Sequence, residues 1–346
     1  MVYQLIRPRR EVVIKHLNNP LTSFQIKPCR AQFSFTVTSL SAIFQSSSCI
    51  MSEADPLYSS FVVNCVFNAF SAYTATMLNI LTIHVMRKTS SLPKPLKTLL
   101  LSLAVSDLGV GLLAQPLYIV KIVNPTHVAF HRTFRVIQLT FTYASFLTVV
   151  AISVDRFLAI HLHLRYQELV THERVVAVVI SIWILSLLFP PLIVYLNSKK
   201  PVHMGMAVIF GFCFIITGVI YSRMYFTACH HANQIQVLQV QVTQNSQIES
   251  AARKRKSAIS MFYVYLVFLV CYLPGYCVGI TYLNNLIQSP PSSALDGVYL
   301  YSLTLVFLNS SLNPVIYGWK MRHIRHATID VLRNIFPRQN QANCSY

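Results

Sequence analysis

The sequence predicts an all-α membrane protein, in which a bundle of seven transmembrane helices is followed by a short amphipathic eighth helix. Charged residues make up 11% of the 346 residues, whereas soluble domains contain about a quarter. Apolar residue types supply 54% of the chain, and the mean hydropathy is +0.52. Seven segments are long and apolar enough to cross ~30 Å of hydrocarbon. Because lipid cannot hydrogen-bond bare backbone, and the sequence shows no strand-like alternation, these segments are predicted to be helices.

The seven spans follow one another along the chain when the sequence is read between charged residues. They are Phe61–Met86, Thr98–Val120, Val136–Val154, Val175–Asn197, Pro201–Ser222, Ser257 to about Leu283, and Gly297–Trp319. The uncharged stretch that begins the sixth span continues to Leu295, and its part around Pro290 and Pro291 is predicted to be a loop.

The distribution of Lys and Arg predicts the orientation, because cytoplasmic loops of membrane proteins are rich in these residues. Seventeen of the 28 lie in the segments that follow the first, third, fifth and seventh spans, five lie in the opposite loops, and six precede Met51. The chain is therefore expected in the plasma membrane, with its N-terminus outside the cell and its C-terminus in the cytosol. The net charge of +18 indicates topology and not nucleic-acid binding, which needs a dense basic face on a soluble fold.

Residues 1–50 are interpreted as an N-terminal extension that is disordered or not translated, since their bases lie on the side that should be poor in them. The alternative is an atypical leader, although its interrupted apolar run, Ala31–Phe44, is a poor signal core. The predicted organisation is an extracellular N-terminus at 51–60, a seven-transmembrane domain at 61–319, and a cytoplasmic eighth helix and tail at 320–346.

Polar side chains inside the spans are costly in lipid, so each is a candidate functional group. Asp107 is the strongest candidate, because a lone buried carboxylate must be protonated, paired or bound to an ion. A single Asn or Ser can instead be interhelical glue that contributes ~0.6 kcal/mol on average.

The motifs, taken in order on seven spans, resemble the rhodopsin-like (class A) G-protein-coupled receptors over roughly Phe61–Phe336. The matching pieces are Asn79, Leu103–Asp107, Asp155-Arg156-Phe157, Trp183, Tyr221, Cys271-Tyr272-Leu273-Pro274 and Asn313–Tyr317. The resemblance implies a receptor, and not an enzyme, that converts an extracellular ligand into activation of a heterotrimeric G protein. The alternatives are a receptor-like protein that no longer signals and a small membrane transporter, which would usually show internal repeats.

The resemblance also implies a sodium pocket in the middle of the bundle. Its residues are Asp107, Ser145, Asn309, Ser310 and Asn313. One carboxylate with neutral oxygens suits a hard cation, and a sodium ion there would favour the inactive state. The alternative is a protonated Asp107 that only bridges helices. Apart from sodium as an allosteric modulator, no cofactor is expected.

Activation switches are implied by the same resemblance. They are Asn79, Asp155, Arg156, Tyr221, Phe268, Tyr272, Pro274, Pro314 and Tyr317. The two prolines each free a backbone carbonyl and hinge their helices, while Tyr272 replaces the family's common Trp. In many relatives an acid at the base of the sixth helix latches Arg156, but Lys254 stands at that position, so high ligand-independent signalling is expected.

On the cytosolic side, the G protein is expected to contact Arg156, Leu164 and Lys254. The basic run Ala251–Lys256 could equally bind anionic membrane lipid, at ~1 kcal/mol per base.

Apolar spacing predicts further helices on the same side. Ile235, Leu238 and Val242 predict that the fifth helix continues into the cytosol. The eighth helix is predicted over Trp319–Phe336 with Ile324, Ile329, Leu332 and Ile335 facing lipid. Cys344 is a candidate palmitoylation site.

Several departures from the family pattern bear on the ligand. His131 replaces the cysteine of the usual outer disulfide, the loop around Leu196–His203 contains no cysteine, and Cys213 replaces the proline of the fifth helix. These features favour the cluster of melanocortin, cannabinoid, lysophospholipid and adenosine receptors.

Three ligand classes are excluded by matching positions. Phe307 stands in place of the retinal lysine, Gln138 in place of the amine-binding aspartate, and Gly279 in place of the adenosine receptors' asparagine. The expected pocket residues are Gln138, Thr142, Tyr276, Tyr282 and Phe307.

Overall fold

The computed structural model describes eight parts of the chain, and all of its regular elements in these parts are helices. The described residues are 56–89, 92–123, 128–162, 165–195, 200–238, 265–281, 293–320 and 322–335. The prediction of an all-α fold is confirmed. Residues 1–50, Tyr282, Leu164, Lys254 and Cys344, each of which carried a prediction, lie outside the described residues.

We number the long helices α1 to α8 in chain order. They are α1 Pro56–Lys88, α2 Lys94–Val123, α3 Val128–His161, α4 His172–Tyr195, α5 Lys200–Leu238, α6 Tyr265–Thr281, α7 Ser293–Lys320 and α8 Arg322–Ile335. A single helical turn, Tyr166–Leu169, lies between α3 and α4. Within the described residues, α1 to α5 are each long and apolar enough to cross a membrane, and α6 is a shorter apolar helix.

The helices extend beyond the spans that were predicted between charges. The clearest case is α3, which includes Arg132 and Arg135 at one end and Asp155 and Arg156 at the other. Charged residues are costly in hydrocarbon and so limit the predicted span, but helical hydrogen bonding does not stop at them, and the helix is longer than the uncharged segment. The predicted continuation of α5 is observed as far as Leu238, and Val242 lies outside the described residues.

A π-helical turn, Val110–Ala114, interrupts α2 directly before Pro116. Proline lacks an N–H and its ring clashes with the carbonyl four residues earlier, so a wider turn at this point relieves the helix. Two glycines, one directly before the turn and one within it, allow close approach of neighbouring helices. A Cβ on Gly109 would lie 2.1 Å from the Phe141 ring, and one on Gly111 would lie 3.0 Å from the Ala72 carbonyl.

The interior contains two groups of buried apolar side chains. The larger includes Leu103, Phe146 and Phe268 and extends toward the end of the bundle at which α3 ends, which we call the inner end. The smaller lies toward the opposite end, which we call the outer end, on α2, α3 and α7, and includes Tyr118, Phe134 and Phe307. Large apolar side chains such as Phe212 on α5 remain exposed, as expected for the surface that faces lipid.

A series of polar contacts joins α1 to α7. Asn64 and Asn68 both donate to the Thr304 hydroxyl, at 2.9 and 3.0 Å. Nearer the middle of the bundle, the Ser71 and Ser311 hydroxyls lie 3.1 Å apart. These side chains are buried, so the pairing satisfies groups that lipid could not.

The apolar face of α8 packs on the bundle. Ile324 and Val331 are only 3% and 6% exposed, and both belong to the inner core group, where Ala327 packs against them. The prediction that Ile324 faces lipid is therefore wrong. The face at positions i, i+3 and i+7 turns toward the protein, where α8 contacts both α1 and α7. Ile329 is 38% exposed, which agrees with a lipid-facing position.

Candidate functional site

The Asp107 carboxylate lies in the centre of the bundle and is fully buried. Ser145 on α3 donates to one of its oxygens at 3.1 Å, and the Asn313 amide on α7 donates to the other at 2.8 Å. Among the described residues, the only ion pair joins Asp155 and Arg156, so no base of this part of the chain neutralises Asp107. A buried carboxylate in this setting requires a proton or a bound cation.

The other predicted members of this pocket are buried beside it on α7. Asn309 and Ser310 are 1% and 2% exposed, and the Asn309 side-chain nitrogen has no hydrogen-bond partner among the described residues. Asn79 on α1 donates to the Ser310 carbonyl at 3.0 Å, which fixes the α7 backbone at this level. The structure thus brings together α1, α2, α3 and α7 around one carboxylate.

A cluster of aromatic rings lies between α3, α5 and α6, around Phe146. Its ring centre is 4.7 Å from that of Phe210, 5.1 Å from Phe214, 5.2 Å from Phe268 and 5.6 Å from Tyr272. The predicted switches Phe268 and Tyr272 therefore both contact Phe146 on α3, and Phe268 also contacts Phe214 on α5, with ring centres 5.5 Å apart.

Phe146 was missed by the sequence analysis. It directly follows the pocket residue Ser145, and an apolar residue in an apolar span gives no pattern that distinguishes it. Only its central position, with 1% exposure, identifies it as the connection between the three helices.

Two tyrosines of α6 reach over glycines of α5. Tyr276 donates to the Ala207 carbonyl at 2.9 Å, and a Cβ on Gly211 would lie 2.4 Å from its hydroxyl. Tyr265 repeats the arrangement toward the inner end, where a Cβ on Gly218 would lie 2.7 Å from its hydroxyl. The missing side chains therefore create the space in which α6 lies against α5.

At the inner end of α3, Asp155 has two partners. Arg156 forms an ion pair with it through its guanidinium, and the Tyr166 hydroxyl donates to the other carboxylate oxygen at 2.7 Å. Burial, followed by the bond to Asp155, raises the pKa of Tyr166 to about 12. The hydroxyl is therefore a stable donor at neutral pH, and it holds Asp155 beside Arg156.

The predicted switches Tyr221 and Tyr317 are both buried near this end. Tyr221 accepts a hydrogen bond from the Ser153 hydroxyl at 3.0 Å and stacks on Tyr265, with ring centres 4.8 Å apart. Tyr317, which is 7% exposed, belongs to the inner core group. The prolines Pro274 and Pro314 lie inside α6 and α7, as the sequence predicts.

At the outer ends of α2, α3, α4 and α7, the structure contains a cavity of about 510 Å³. Of the predicted pocket residues, Gln138 lines it and also donates to the Thr142 hydroxyl at 3.5 Å. Phe307 does not line it, because its ring is fully buried in the outer core group against Tyr118, 5.4 Å between ring centres.

The basic lining of this cavity was not predicted to be a ligand site. It includes Lys121, Arg132 and Arg135, together with His131. The signal was present in the sequence, since these bases lie on the side of the membrane where bases are expected to be few.

Comparison with known proteins agrees with this architecture. Residues 78–317 match the family described as "7 transmembrane receptor (rhodopsin family)", which is more than half of the chain. A similar protein is the adenosine receptor A2b of Gallus gallus, 26% identical over 285 residues that cover 71% of this chain and 81% of the relative. The apolar helices, the order of the motifs and this match lead to one conclusion: the chain belongs to the rhodopsin family of seven-transmembrane receptors, and it is a membrane receptor of the G-protein-coupled class and not an enzyme.

Proposed function

We propose that this receptor has a sodium-sensitive inactive state, signals appreciably without ligand, and lies in the plasma membrane with its N-terminus outside. The observation that carries the proposal is the Asp107 carboxylate, which is fully buried with hydroxyl and amide neighbours and no base from the described residues. Anionic lipid is the partner proposed for the basic cytosolic segments, alongside the G protein.

The chemistry of the pocket fits sodium. Asp107 supplies a charged oxygen, while Ser145, Ser310 and the amides of Asn309 and Asn313 offer neutral oxygens, which are the ligands that hard cations prefer. These groups come from α2, α3 and α7, so an ion that binds them would hold the three helices in one arrangement. It would favour whichever packing of the bundle brings the groups together.

Basal G-protein activation in receptor-containing membranes tests this proposal. Replacing potassium with sodium at constant ionic strength should lower the basal rate of the parent receptor in a saturable way. The Asp107→Ala variant should show no such dependence, and a matched Ser106→Ala variant, which removes a hydroxyl one residue away, should keep it. A parent receptor whose basal rate is the same in both salts rejects the sodium site.

The same assay separates the proposed receptor from a receptor-like protein that does not signal. The rate of nucleotide exchange on added G protein should be higher with membranes that contain the parent receptor than with membranes that lack it. A silent parent receptor, in both salts, supports the non-signalling alternative.

For the ligand, we propose that adenosine is not recognised, although the relative from Gallus gallus is named an adenosine receptor. Gly279 stands at the position where adenosine receptors have an asparagine, so this chain has no side-chain amide there. A Cβ on Gly279 would meet nothing within 4 Å among the described residues. Retinal and cationic amines are also not proposed as ligands, because Phe307 stands in place of the retinal lysine and Gln138 in place of the amine-binding aspartate. Adenosine should therefore leave the basal rate unchanged, and a saturable response to it would overturn this part of the proposal.

A further inference from the structure

The outer cavity between α2, α3, α4 and α7 collects positive charge. Lys121 comes from α2, and Arg132 and Arg135 come from α3, where they lie one turn apart on the same face. Within the described residues that line the cavity, none is acidic. Three cations therefore face one space of about 510 Å³, which is within the range of small-molecule sites.

These charges are unfavourable where they lie. The outer loops of membrane proteins are poor in bases, and the N-terminal end of α3, to which Arg132 belongs, carries the positive end of the helix dipole. Like charges that share a cavity also repel one another. The arrangement gains free energy if an anion enters the cavity.

Lys121 is the anchor of the group. Its side chain is half-buried, and its ammonium lies 5.1 Å from the ring centre of Phe134 and 5.7 Å from that of Tyr299. The two ring faces hold the ammonium between α3 and α7, so its position is more restricted than that of a base on an open surface. Arg132 and Arg135 are more exposed than Lys121.

The remaining lining of the cavity combines polar and apolar side chains. His131, Phe134 and Gln138 come from α3, Val194 and Tyr195 from α4, and Tyr299 from α7. A bare inorganic anion would use the bases but would make no use of the aromatic and aliphatic side chains of the lining. The lining therefore suits an anionic group carried on an apolar body.

We infer that the outer cavity binds a ligand with a carboxylate or phosphate group on an apolar body, with Lys121 as the principal anion contact and Arg132 and Arg135 as auxiliary contacts. Only the idea that this anion is the signalling ligand rests on the proposed receptor function. Binding itself follows from the cavity alone.

Binding of dodecanoate, dodecyl phosphate and dodecanol to the purified full chain in neutral-lipid nanodiscs tests the inference. Dodecanol lacks the charge of the other two probes, and receptor-free nanodiscs correct for partitioning into lipid. We expect saturable binding of one or both anions and at least about a 10-fold weaker affinity for dodecanol. The two anions distinguish a carboxylate from a phosphate ligand.

Variants connect the binding to the named residues. Lys121→Gln should weaken anion binding by about 10-fold or more, and Arg135→Gln by less, because its side chain is more exposed. Arg87→Gln makes the same charge change at the opposite end of the bundle and should have no effect. Dodecanol that binds as well as the anions, or a Lys121→Gln variant that binds like the parent, overturns the inference.

Two further measurements distinguish this ligand class from simple anions and from a carboxylate of the chain itself. If inorganic phosphate competes as strongly as dodecyl phosphate, the cavity binds simple anions only and the apolar part of the inference is wrong. If Asp296→Asn, three residues before Tyr299 on α7, markedly strengthens anion binding, an internal carboxylate is the natural partner of the bases and the inference is also overturned.

Binding and signalling can fail separately. Anions that bind without changing the basal G-protein rate would support the site and count against its signalling role. A sodium-sensitive basal rate in a chain that binds neither anion would support the proposed function and reject the site.

Discussion

Single residues decide how closely the helices of this receptor approach one another. Gly218 on α5 is the sharpest example, because the Tyr265 hydroxyl occupies the space that a Cβ would need. Tyr265 in turn stacks on Tyr221, which places the predicted switch against α6. A methyl group in place of the Gly218 hydrogen would therefore affect both α5 and α6.

We predict that Gly218→Ala destabilises the receptor by about 1–3 kcal/mol, the usual cost of overpacking. Thermal unfolding of the purified receptor, followed with a thiol-reactive dye, measures the change. The double variant with Tyr265→Phe should regain much of the loss, because the substitution removes the hydroxyl that the methyl group meets.

Gly279→Ala is the matched control for this prediction. It makes the same change inside α6, but nothing lies within 4 Å of the added Cβ, so stability should be unchanged or slightly raised by better helix propensity. Equal effects of the two substitutions would show that the α5–α6 contact is looser than described.

At the scale of elements, α8 acts as part of the bundle, since it contacts α1 and α7 and buries Ile324 and Val331. Its sequence alone predicts an amphipathic helix, and a membrane surface is the usual partner of such a helix. The pattern of apolar residues shows which residues of α8 are apolar but not whether each one faces lipid or the protein. In the structure, Ile324 is buried against the protein, whereas Ile329 is exposed.

We predict that Ile324→Ala lowers stability by about 2 kcal/mol or more, as for a buried isoleucine, whereas Ile329→Ala has a smaller effect. Melting temperature and cell-surface expression of the two variants provide the comparison. If the two variants behave alike, α8 does not depend on its contact with α1.

The fold could be predicted from the sequence to a greater extent than the site. Apolar spans and their polar residues identified the helices and Asp107, because hydrocarbon imposes length and leaves few polar groups to choose from. The π-helical turn at Val110–Ala114 was not predicted, although Pro116 is its visible cause. The central position of Phe146 and the convergence of bases on one cavity depend on contacts between distant segments, for which one sequence contains no direct signal, although the bases themselves stand out in the predicted outer segments.

At the scale of the whole molecule, the ionisable Asp, Glu, Lys and Arg residues of the described helices other than Asp107 lie toward the two ends of the bundle. At the inner end, Asp155 and Tyr166 hold the region around Arg156. By the resemblance to the family, Lys254 stands in the sequence at the position of the acid that latches the arginine in many relatives. We therefore expect the resting state to lack that ion pair.

We predict that Lys254→Glu lowers basal G-protein activation, since a carboxylate at this position could pair with Arg156 in the resting state. The expected reduction is about 2–5-fold, the size of a partly exposed ion pair of up to ~1 kcal/mol. Arg255→Glu introduces the same charge at the next residue and should lower the rate less. A Lys254→Glu variant as active as the parent would argue that another contact governs the basal rate.

The polar contacts between α1 and α7 also have a consequence during synthesis. Asn64 and its partner Thr304 are separated by 240 residues, so α1 is made first and α7 nearly last. At about 5–20 residues per second, the Asn64 side-chain amide waits on the order of tens of seconds before its acceptor on α7 exists. During that interval this N–H group faces lipid or the insertion machinery, and completion of the chain is the event that pairs it.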